Sequence, residues 1–404
     1  MSGRFLLFGL NQITGNFGCE ALVQGTGAVL KRTDPDCEPI YISDGHAKTD
    51  RARLGPSSPI KVDDSAPRMG PRFFTRRLLR RMNFRVKRCP LPHRLLKDAD
   101  CVLSIGGDLY TFVDEETEAV WPYPWPIVED GNAIMDKGVP YVIWCASIGP
   151  LEKAGDKLGE LVEHFHRCKA IIVRESASYD YMTNVLSIGE NVYLASDPAY
   201  LMEPVAFEAP FLAQDGEPVV AINMALGSIV QVFGQDNKAI ARVCEQYLEG
   251  MRRLIRDLGV KIVLIPHGVS DHAFMAGFRD KLAADYEGRV WLVPIALGAQ
   301  KTKWAVSQCA GLVSMRFHCA LAGIGTCTPT MLVLTKPKGK KLIEDVYGNT
   351  DYALDLRDFS PEALYEKAKL MLDSHASVRR TLEAVLDVMQ KRALSAGEVL
   401  QQIL

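Results

Sequence analysis

The feature that most constrains this chain is the regular alternation of short apolar runs with segments of helical periodicity. Ten runs of four to six residues have the composition of buried strands: Phe5–Leu10, Cys101–Ile105, Tyr141–Ala146, Ala170–Val173, Val192–Ala195, Val219–Met224, Lys261–Ile265, Val290–Val293, Gly311–Ser314 and Thr330–Leu334. Strands that alternate with helices predict parallel sheets covered by helices on both faces. We therefore predict an α/β fold.

The number of strands indicates more than one domain. The chain has 404 residues, enough for two cores, and a stretch rich in Pro and Gly interrupts the alternating pattern at 203–218. We predict two Rossmann-like domains facing a cleft, the first over 1–205 and the second over 206–375, followed by a helix over 376–404. A single (β/α) barrel is the alternative.

Composition excludes several classes of protein. The 47 Lys and Arg residues nearly balance 49 Asp and Glu residues, so no nucleic-acid partner is expected for the molecule as a whole. The ten cysteines include no C-x-x-C pair, which is typical of reduced thiols in a cytosolic protein. The apolar run Phe5–Leu10 is too short for the core of a signal peptide, so we predict a cytoplasmic location.

One segment departs from this balance. Residues 68–97 contain eleven Lys or Arg and no acidic residue, with apolar side chains interleaved. Two interpretations stay open. The segment is either a basic amphipathic element that docks on anionic lipid or glycan, at the inner face of the membrane, or a surface insertion with solvated charges.

Candidate ligand-binding residues follow the strands, because ligands of open parallel sheets bind beyond the carboxyl ends of the strands. After the first strand come Asn16, Gly18 and Glu20, and after Cys101–Ile105 come Gly106, Gly107 and Asp108. Glycines let the backbone approach a ligand, and a helix start presents free N–H groups. Tight turns with ordinary helix caps are the structural alternative.

Three further strand ends carry polar candidates. Arg174 follows Ala170–Val173, with a local ion pair as the alternative to ligand binding. Asp197 begins an Asp-Pro turn, and because such turns are common, the motif alone is weak evidence for ligand binding. His267 ends the strand Lys261–Ile265 and is either a substrate contact or a hydrogen-bonded loop histidine.

The strongest local signal is Ser314-Met-Arg-Phe-His318. Arg316 and His318 lie between a strand and a helix rich in small residues, where a guanidinium, an imidazole and a helix N-terminus form a site for phosphate or carboxylate. No H-E-x-x-H motif, zinc-spaced Cys/His set or G-x-S-x-G elbow occurs. We therefore predict no metal site.

Taken in order, these loops resemble the polysaccharide pyruvyl transferase family. The resemblance extends over roughly residues 5–350 and rests on five segments: Gly15-Asn-Phe-Gly-Cys-Glu-Ala-Leu22, Ser104-Ile-Gly-Gly-Asp108, Val173-Arg-Glu175, Ser196-Asp-Pro-Ala199 and Ser314-Met-Arg-Phe-His318. Cys19 departs from it, because many relatives have Asp at that place.

The resemblance implies a fold like that of GT-B glycosyltransferases, in which the last helix often crosses back, and residues 376–404 fit such a helix. It also implies transfer of a pyruvyl group from phosphoenolpyruvate to a sugar, as a ketal. It implies phosphoenolpyruvate binding by Arg174, Arg316 and His318, with the donor on the C-terminal domain and the acceptor on the N-terminal domain. The acceptor is a sugar or glycan, free or lipid-linked. Phosphoenolpyruvate is a substrate, so no cofactor is expected.

The chemistry suits these residue types. Two arginines can hold the carboxylate and the phosphate of the donor. His318 is the candidate for the general acid or for protonating the departing phosphate, and Asp108 or Asp197 is the candidate base. Two other functions stay open: a glycosyltransferase of the same shape that uses a nucleotide sugar, and a non-catalytic glycan-binding protein.

Overall fold

The chain divides into two compact units. The computed structural model describes residues 3–10, 13–64, 89–112, 124–212 and 216–404, so most of the basic segment, residues 68–88, lies outside the described residues. Unit 1 comprises Met1–Thr14, Leu22–Leu201 and Met389–Leu404, and unit 2 comprises Gly15–Ala21 and Met202–Val388. Gly15–Ala21 groups with the second unit, and the last helix passes from unit 2 into unit 1 at Met389.

Unit 1 is built on a parallel sheet. Its described strands are β1 (Arg4–Phe8), β2 (Glu38–Ile42), β3 (Lys61–Asp63), β4 (Cys101–Ile105), β5 (Tyr141–Ala146), β6 (Ala170–Val173) and β7 (Val192–Leu194), in the order β3-β2-β1-β4-β5-β6-β7. Every residue of β4, β5 and β6 is buried, as expected for central strands with helices on both faces.

Helices connect these strands. They are α1 (Phe17–Thr33), α2 (Ala47–Leu54), α3 (His93–Leu96), α4 (Trp125–Met135), α5 (Leu158–Arg167) and α6 (Ser176–Asp180), which continues as a π-helical turn, Tyr181–Val185. Short 3₁₀ turns occupy Glu152–Lys157 and Pro198–Leu201. The core between sheet and helices is apolar and includes Phe8, Tyr110, Tyr141 and Phe165.

Unit 2 is built on a second parallel sheet. Its described strands are β8 (Val219–Asn223), β9 (Lys261–Leu264), β10 (Val290–Leu292), β11 (Gly311–Ser314), β12 (Thr330–Leu334) and β13 (Ala353–Asp355), in the order β10-β9-β8-β11-β12-β13. Counted within the unit, this is the doubly wound order 3-2-1-4-5-6, whose ligand crevice lies where the order reverses. That point is the carboxyl ends of β8 and β11, which carry Asn223 and Ser314.

Helices also connect the strands of unit 2. They are α7 (Leu226–Phe233), α8 (Asn237–Leu258), α9 (Val269–Asp285), α10 (Gly298–Ser307), α11 (Phe317–Ile324), α12 (Pro337–Tyr347), α13 (Pro361–Asp373) and α14 (His375–Ile403), the last of which ends in unit 1. The side chain of Asp236 caps α8 by accepting from the N–H groups of Lys238 and Ala239. Gly259 ends that helix in the left-handed conformation.

The predicted fold class is confirmed. Two open parallel sheets, each with its own helices, replace the single barrel that the sequence left as an alternative. All ten cysteines are free thiols. Among the described residues, no helix combines the length and the apolar character needed to cross a membrane.

Candidate functional site

Asn223 anchors the Ser314–His318 loop of unit 2. This side chain is fully buried at the end of β8. Its Oδ1 accepts from the backbone N–H of Arg316 at 2.8 Å, and its Nδ2 donates to the carbonyl of Ile265 at 2.8 Å. One amide therefore holds together the ends of β8, β9 and β11 and fixes the backbone from which Arg316 projects.

The guanidinium of Arg316 is oriented by Asp271. The Nε of Arg316 donates to Oδ2 of Asp271 at 3.1 Å, and Nη2 donates to Oδ1 at 2.7 Å. Asp271 is almost completely buried, whereas 35% of the Arg316 side chain is exposed. Within the described residues, Nη1 donates to no protein group. Arg316 is thus a fixed cation with donors available to an anion.

His318 lies in the first turn of α11, against the first turn of α1. A Cβ atom at Gly18 would lie 2.8 Å from Nδ1 of His318 and 2.9 Å from its Cγ, closer than real side chains approach. The N–H of Gly18 donates to Oδ1 of Asn16 at 2.8 Å, and Glu20 is buried in the same helical turn. Glycine at position 18 is therefore required for the imidazole to occupy its place.

His267 is the second imidazole of this site. It is only 7% exposed, and neither ring nitrogen has a hydrogen-bond partner among the described residues. The ring of Phe17 packs edge-on against it with centroids 5.8 Å apart, and the N–H of Phe17 donates to the carbonyl of His267 at 3.0 Å. Burial, together with the electrostatic influence of the neighbouring His318 and Arg316 side chains, holds the pKa of His267 well below its usual range.

Asn16 completes the group by pairing with Gly268 in an isolated antiparallel bridge. The segment around it therefore belongs to unit 2, although it precedes unit 2 by almost 200 residues. Of the sequence-predicted site residues, the structure places six in this unit: Asn16, Gly18, Glu20, His267, Arg316 and His318.

The remaining predicted residues form a second cluster, in unit 1, around Arg174. The Arg174 side chain is 2% exposed, and its Nη1 donates to Oδ2 of Asp197 at 2.6 Å. Its Nη2 donates to Oδ1 of Asp108 at 3.2 Å, and Oγ of Ser147 accepts from Nε at 3.0 Å. Burial opposes the charge of Arg174, but Asp197, Glu175 and Asp108 raise its pKa above the ordinary value.

The two aspartates of this cluster differ in exposure. The side chain of Asp197 is 4% exposed, and its Oδ1 also accepts from the N–H of Ala199 at 2.9 Å. The side chain of Asp108 is 39% exposed and is held by the longer contact with Arg174. Asp197 is thus part of the buried framework, whereas Asp108 is accessible to a molecule in solution.

Gly106 and Gly107 support this cluster. Gly106 has φ 152°, a conformation that favours glycine. A Cβ atom at Gly107 would lie 2.8 Å from Nη2 of Arg174, which donates to the Gly107 carbonyl at 3.2 Å. The local ion pair that the sequence left open for Arg174 is present, and Gly107 makes room for it.

Sequence reasoning missed the anchoring roles of Asn223, Asp271 and Ser147. Asn223 was recognisable as a polar end to the buried strand Val-Val-Ala-Ile-Asn, and Asp271 as an acid one helical turn after His267. Nothing in the sequence distinguishes Ser147. Among the described residues, no group of three or more His, Cys, Asp or Glu side chains is arranged to hold a metal ion.

Solved structures share the fold at low sequence identity. A putative UDP-N-acetylglucosamine 2-epimerase from Listeria monocytogenes superimposes with a TM-score of 0.60 at 12% identity, covering 95% of this chain and 91% of that one. The UDP-GlcNAc 2-epimerase of Neisseria meningitidis, bound to UDP-GlcNAc, gives 0.58 at 12% identity and covers 99% of both chains. The enzyme from Methanocaldococcus jannaschii gives 0.57 at 11% identity, with 92% and 93% covered. These likenesses show a GT-B-like fold of two parallel-sheet α/β domains.

Sequence comparison identifies the family. No curated protein matches the chain. The profile of the polysaccharide pyruvyl transferase family matches residues 16–337, which include every candidate residue in both clusters. The chain therefore belongs to the polysaccharide pyruvyl transferase family.

Proposed function

We propose that this protein transfers the pyruvyl group of phosphoenolpyruvate to hydroxyls of a sugar in a polysaccharide or its precursor, forming a ketal. The observation that carries the proposal is the arrangement in unit 2. There, Asp271 orients the guanidinium of Arg316, whose Nη1 donates to no group among the described residues. The imidazoles of His267 and His318 adjoin it at the point where the strand order reverses. A small, highly charged anion suits this arrangement better than a neutral ligand does.

Donor binding is assigned to Arg316 and His318. The donor carries a carboxylate and a phosphate, and the Nη1 of Arg316 can donate to an oxygen of either group. Asp271 holds the guanidinium in place before the ligand arrives, which reduces the ordering that binding requires.

The reaction begins with protonation of the donor methylene. His318 in its imidazolium form gives a proton to C3, which becomes a methyl group, and C2 becomes an oxocarbenium-like centre. A sugar hydroxyl attacks C2 and loses its proton to a base. The C2–O bond to phosphate breaks, and a second hydroxyl attacks C2 and loses its proton in turn. One hydroxyl proton restores His318 and the other leaves with phosphate, so the products are the ketal and inorganic phosphate.

Asp108 is the better candidate for the base that serves the attacking hydroxyl. A base must come within hydrogen-bond reach of the proton that it takes, and Asp108 is accessible whereas Asp197 is buried and paired with Arg174. We assign Asp197 to positioning Arg174. Unit 1 is accordingly the proposed acceptor side, with a free or lipid-linked glycan as acceptor.

The location is proposed to be cytoplasmic. Docking of the basic segment on an anionic membrane stays a prediction, since residues 68–88 lie outside the described part of the chain. Loss of vesicle binding after replacement of four of its arginines would support docking.

Calorimetric titration with phosphoenolpyruvate tests the proposal. Arg316→Ala removes the guanidinium, and Arg316→Lys keeps the charge without the planar fork. Charge-assisted hydrogen bonds contribute about 1.5–3 kcal/mol, so we expect the dissociation constant to rise roughly 10- to 100-fold in Arg316→Ala. Arg252→Ala is the matched control, because Arg252 pairs with Asp285 at 3.0 Å on helices of the same unit.

Turnover is then measured as phosphate release against a panel of sugars and glycan precursors. Binding that is equal in wild type and Arg316→Ala would contradict the assignment of the donor site. Failure of phosphoenolpyruvate to bind, with binding of a nucleotide sugar, would favour a glycosyltransferase. A protein that binds glycan and neither donor would be a non-catalytic member of the family.

A further inference from the structure

His267 presents buried polar atoms that the described protein does not satisfy. Both ring nitrogens are buried and lack a hydrogen-bond partner among the described residues. Most buried polar side-chain atoms have a partner, and an unmade hydrogen bond there is costly. The backbone of His267 is held by Phe17 and by Asp271, and the ring of Phe17 packs edge-on against the imidazole.

The charged and titratable groups around His267 come from three elements. The Ser314–His318 loop contributes Arg316 and His318, both of which act electrostatically on the ring. Helix α9 contributes Asp271, whose Oδ2 accepts the backbone N–H of His267 at 3.4 Å. The first turn of α1, where Phe17 packs on the imidazole, carries Cys19 and Glu20.

These surroundings keep the imidazole of His267 neutral. Burial disfavours the imidazolium, and the neighbouring His318 and Arg316 side chains disfavour it further. Asp271 offsets this only in part, because both of its carboxylate oxygens accept from Arg316. An anion placed beside Arg316 would reverse the balance of charge around the ring.

We propose that His267 takes up one proton from solvent when phosphoenolpyruvate binds, so that the loaded site holds an imidazolium at position 267. The inference rests on the proposed function, since it concerns the same donor site. The lone pair of one ring nitrogen forms the new N–H bond, the proton comes from the buffer, and no other bond changes. The imidazolium of His267 thus supplies a positive charge that balances the negative oxygens of the bound donor. This charge lies beside the proposed acid His318.

The inference predicts the sign of a pH effect. Proton uptake on binding means that donor affinity falls as pH rises. The dissociation constant should rise about tenfold per pH unit over the pH range between the pKa of His267 in the free protein and its pKa in the donor complex. The second ionisation of a phosphate ester lies near pH 6, so the measurement belongs above pH 7, where the donor itself no longer titrates.

Calorimetry in buffers of low and high ionisation enthalpy counts the protons. For wild-type protein at pH 7.5, we expect the apparent enthalpy to change with the buffer by an amount corresponding to about one proton per donor bound. In His267→Gln, we expect weaker binding without this dependence. His166→Gln is the matched control, because His166 is exposed on α5 of unit 1, outside the site, and should leave the proton count unchanged.

Two results would overturn the inference while leaving the proposed function intact. One is donor binding to the wild type without proton uptake, and the other is full uptake in His267→Gln. If His267→Gln does not bind the donor, ¹⁵N NMR of the wild-type protein reports whether the His267 ring is protonated. The His267 signal is assigned from its absence in the spectrum of the variant. A His267 ring that stays neutral in the saturated wild type refutes the inference. Absence of donor binding to the wild type refutes the proposed function itself.

Discussion

The substitution Gly18→Ala perturbs the proposed donor site without removing any functional group. The new methyl group would lie 2.8 Å from Nδ1 of His318, whereas ordinary contact begins at 3.4 Å. The ring must therefore move by at least about 0.6 Å, and it can do so because His318 is only half-buried. A misplacement of 1 Å costs on the order of 100-fold in rate. We thus expect turnover to fall roughly 10- to 100-fold.

Folding stability should respond differently. Alanine is a better helix former than glycine by about 0.5–1 kcal/mol, and the displaced His318 rotamer costs about 0.5–1.5 kcal/mol. These terms nearly cancel, so the free energy of unfolding should change by less than about 1 kcal/mol. Phosphate release measures turnover, and denaturant unfolding measures stability. Gly277→Ala is the control, since its Cβ would meet open space on α9, and activity should be unaffected.

Two outcomes would refute this reasoning. Wild-type turnover in Gly18→Ala would mean that the position of the His318 ring does not govern the reaction. A loss of stability well above 2 kcal/mol would mean that the methyl group disrupts the fold rather than the imidazole alone.

Other substitutions distinguish residues that stabilise the fold from residues that take part in the proposed reaction. Asn223→Ala leaves a buried carbonyl and N–H unpaired, so unfolding should become easier by about 1–3 kcal/mol in denaturant titration. Asp197→Ala leaves Arg174 buried without its shortest partner and should cost about 3–5 kcal/mol in the same titration. Asp108→Asn should change stability by less than about 1 kcal/mol but lower the rate of phosphate release about 10²- to 10⁴-fold. Burial lowers the pKa of His164 to about 3. The free energy of unfolding, measured against pH, should therefore decrease below about pH 6 by up to about 1.4 kcal/mol per pH unit. The decrease should be less steep in His164→Phe.

The central strands could be predicted from the sequence because they are continuous apolar runs, and all ten predicted strands are present. Three strands were missed for local reasons. Glu38–Ile42 contains Pro39, which argues against a strand inside a sheet. Lys61–Asp63 and Ala353–Asp355 have three residues each and lie at sheet edges, where no apolar run is required.

The site was partly predictable for a similar reason. Arg316 and His318 are conspicuous as polar residues at the end of a buried strand. The anchoring groups Asn223 and Asp271 act through tertiary contacts, which no local pattern encodes. The same holds for Gly18, whose neighbour His318 is 300 residues away in sequence and whose need for glycine appears only when the imidazole is in place.

The two arginines that the family resemblance groups together differ in how readily they can receive an anion. Arg174 is buried and already donates to Asp197, Asp108 and Ser147. A ligand that bound it would have to displace one of these partners and leave a carboxylate or a hydroxyl without its hydrogen bond. Arg316 is partly exposed, is oriented by a single buried carboxylate, and keeps Nη1 available. Under the proposed function, the first contact with the donor therefore falls to Arg316, and a direct role for Arg174 in donor binding would require that Asp108, its most exposed partner, give way.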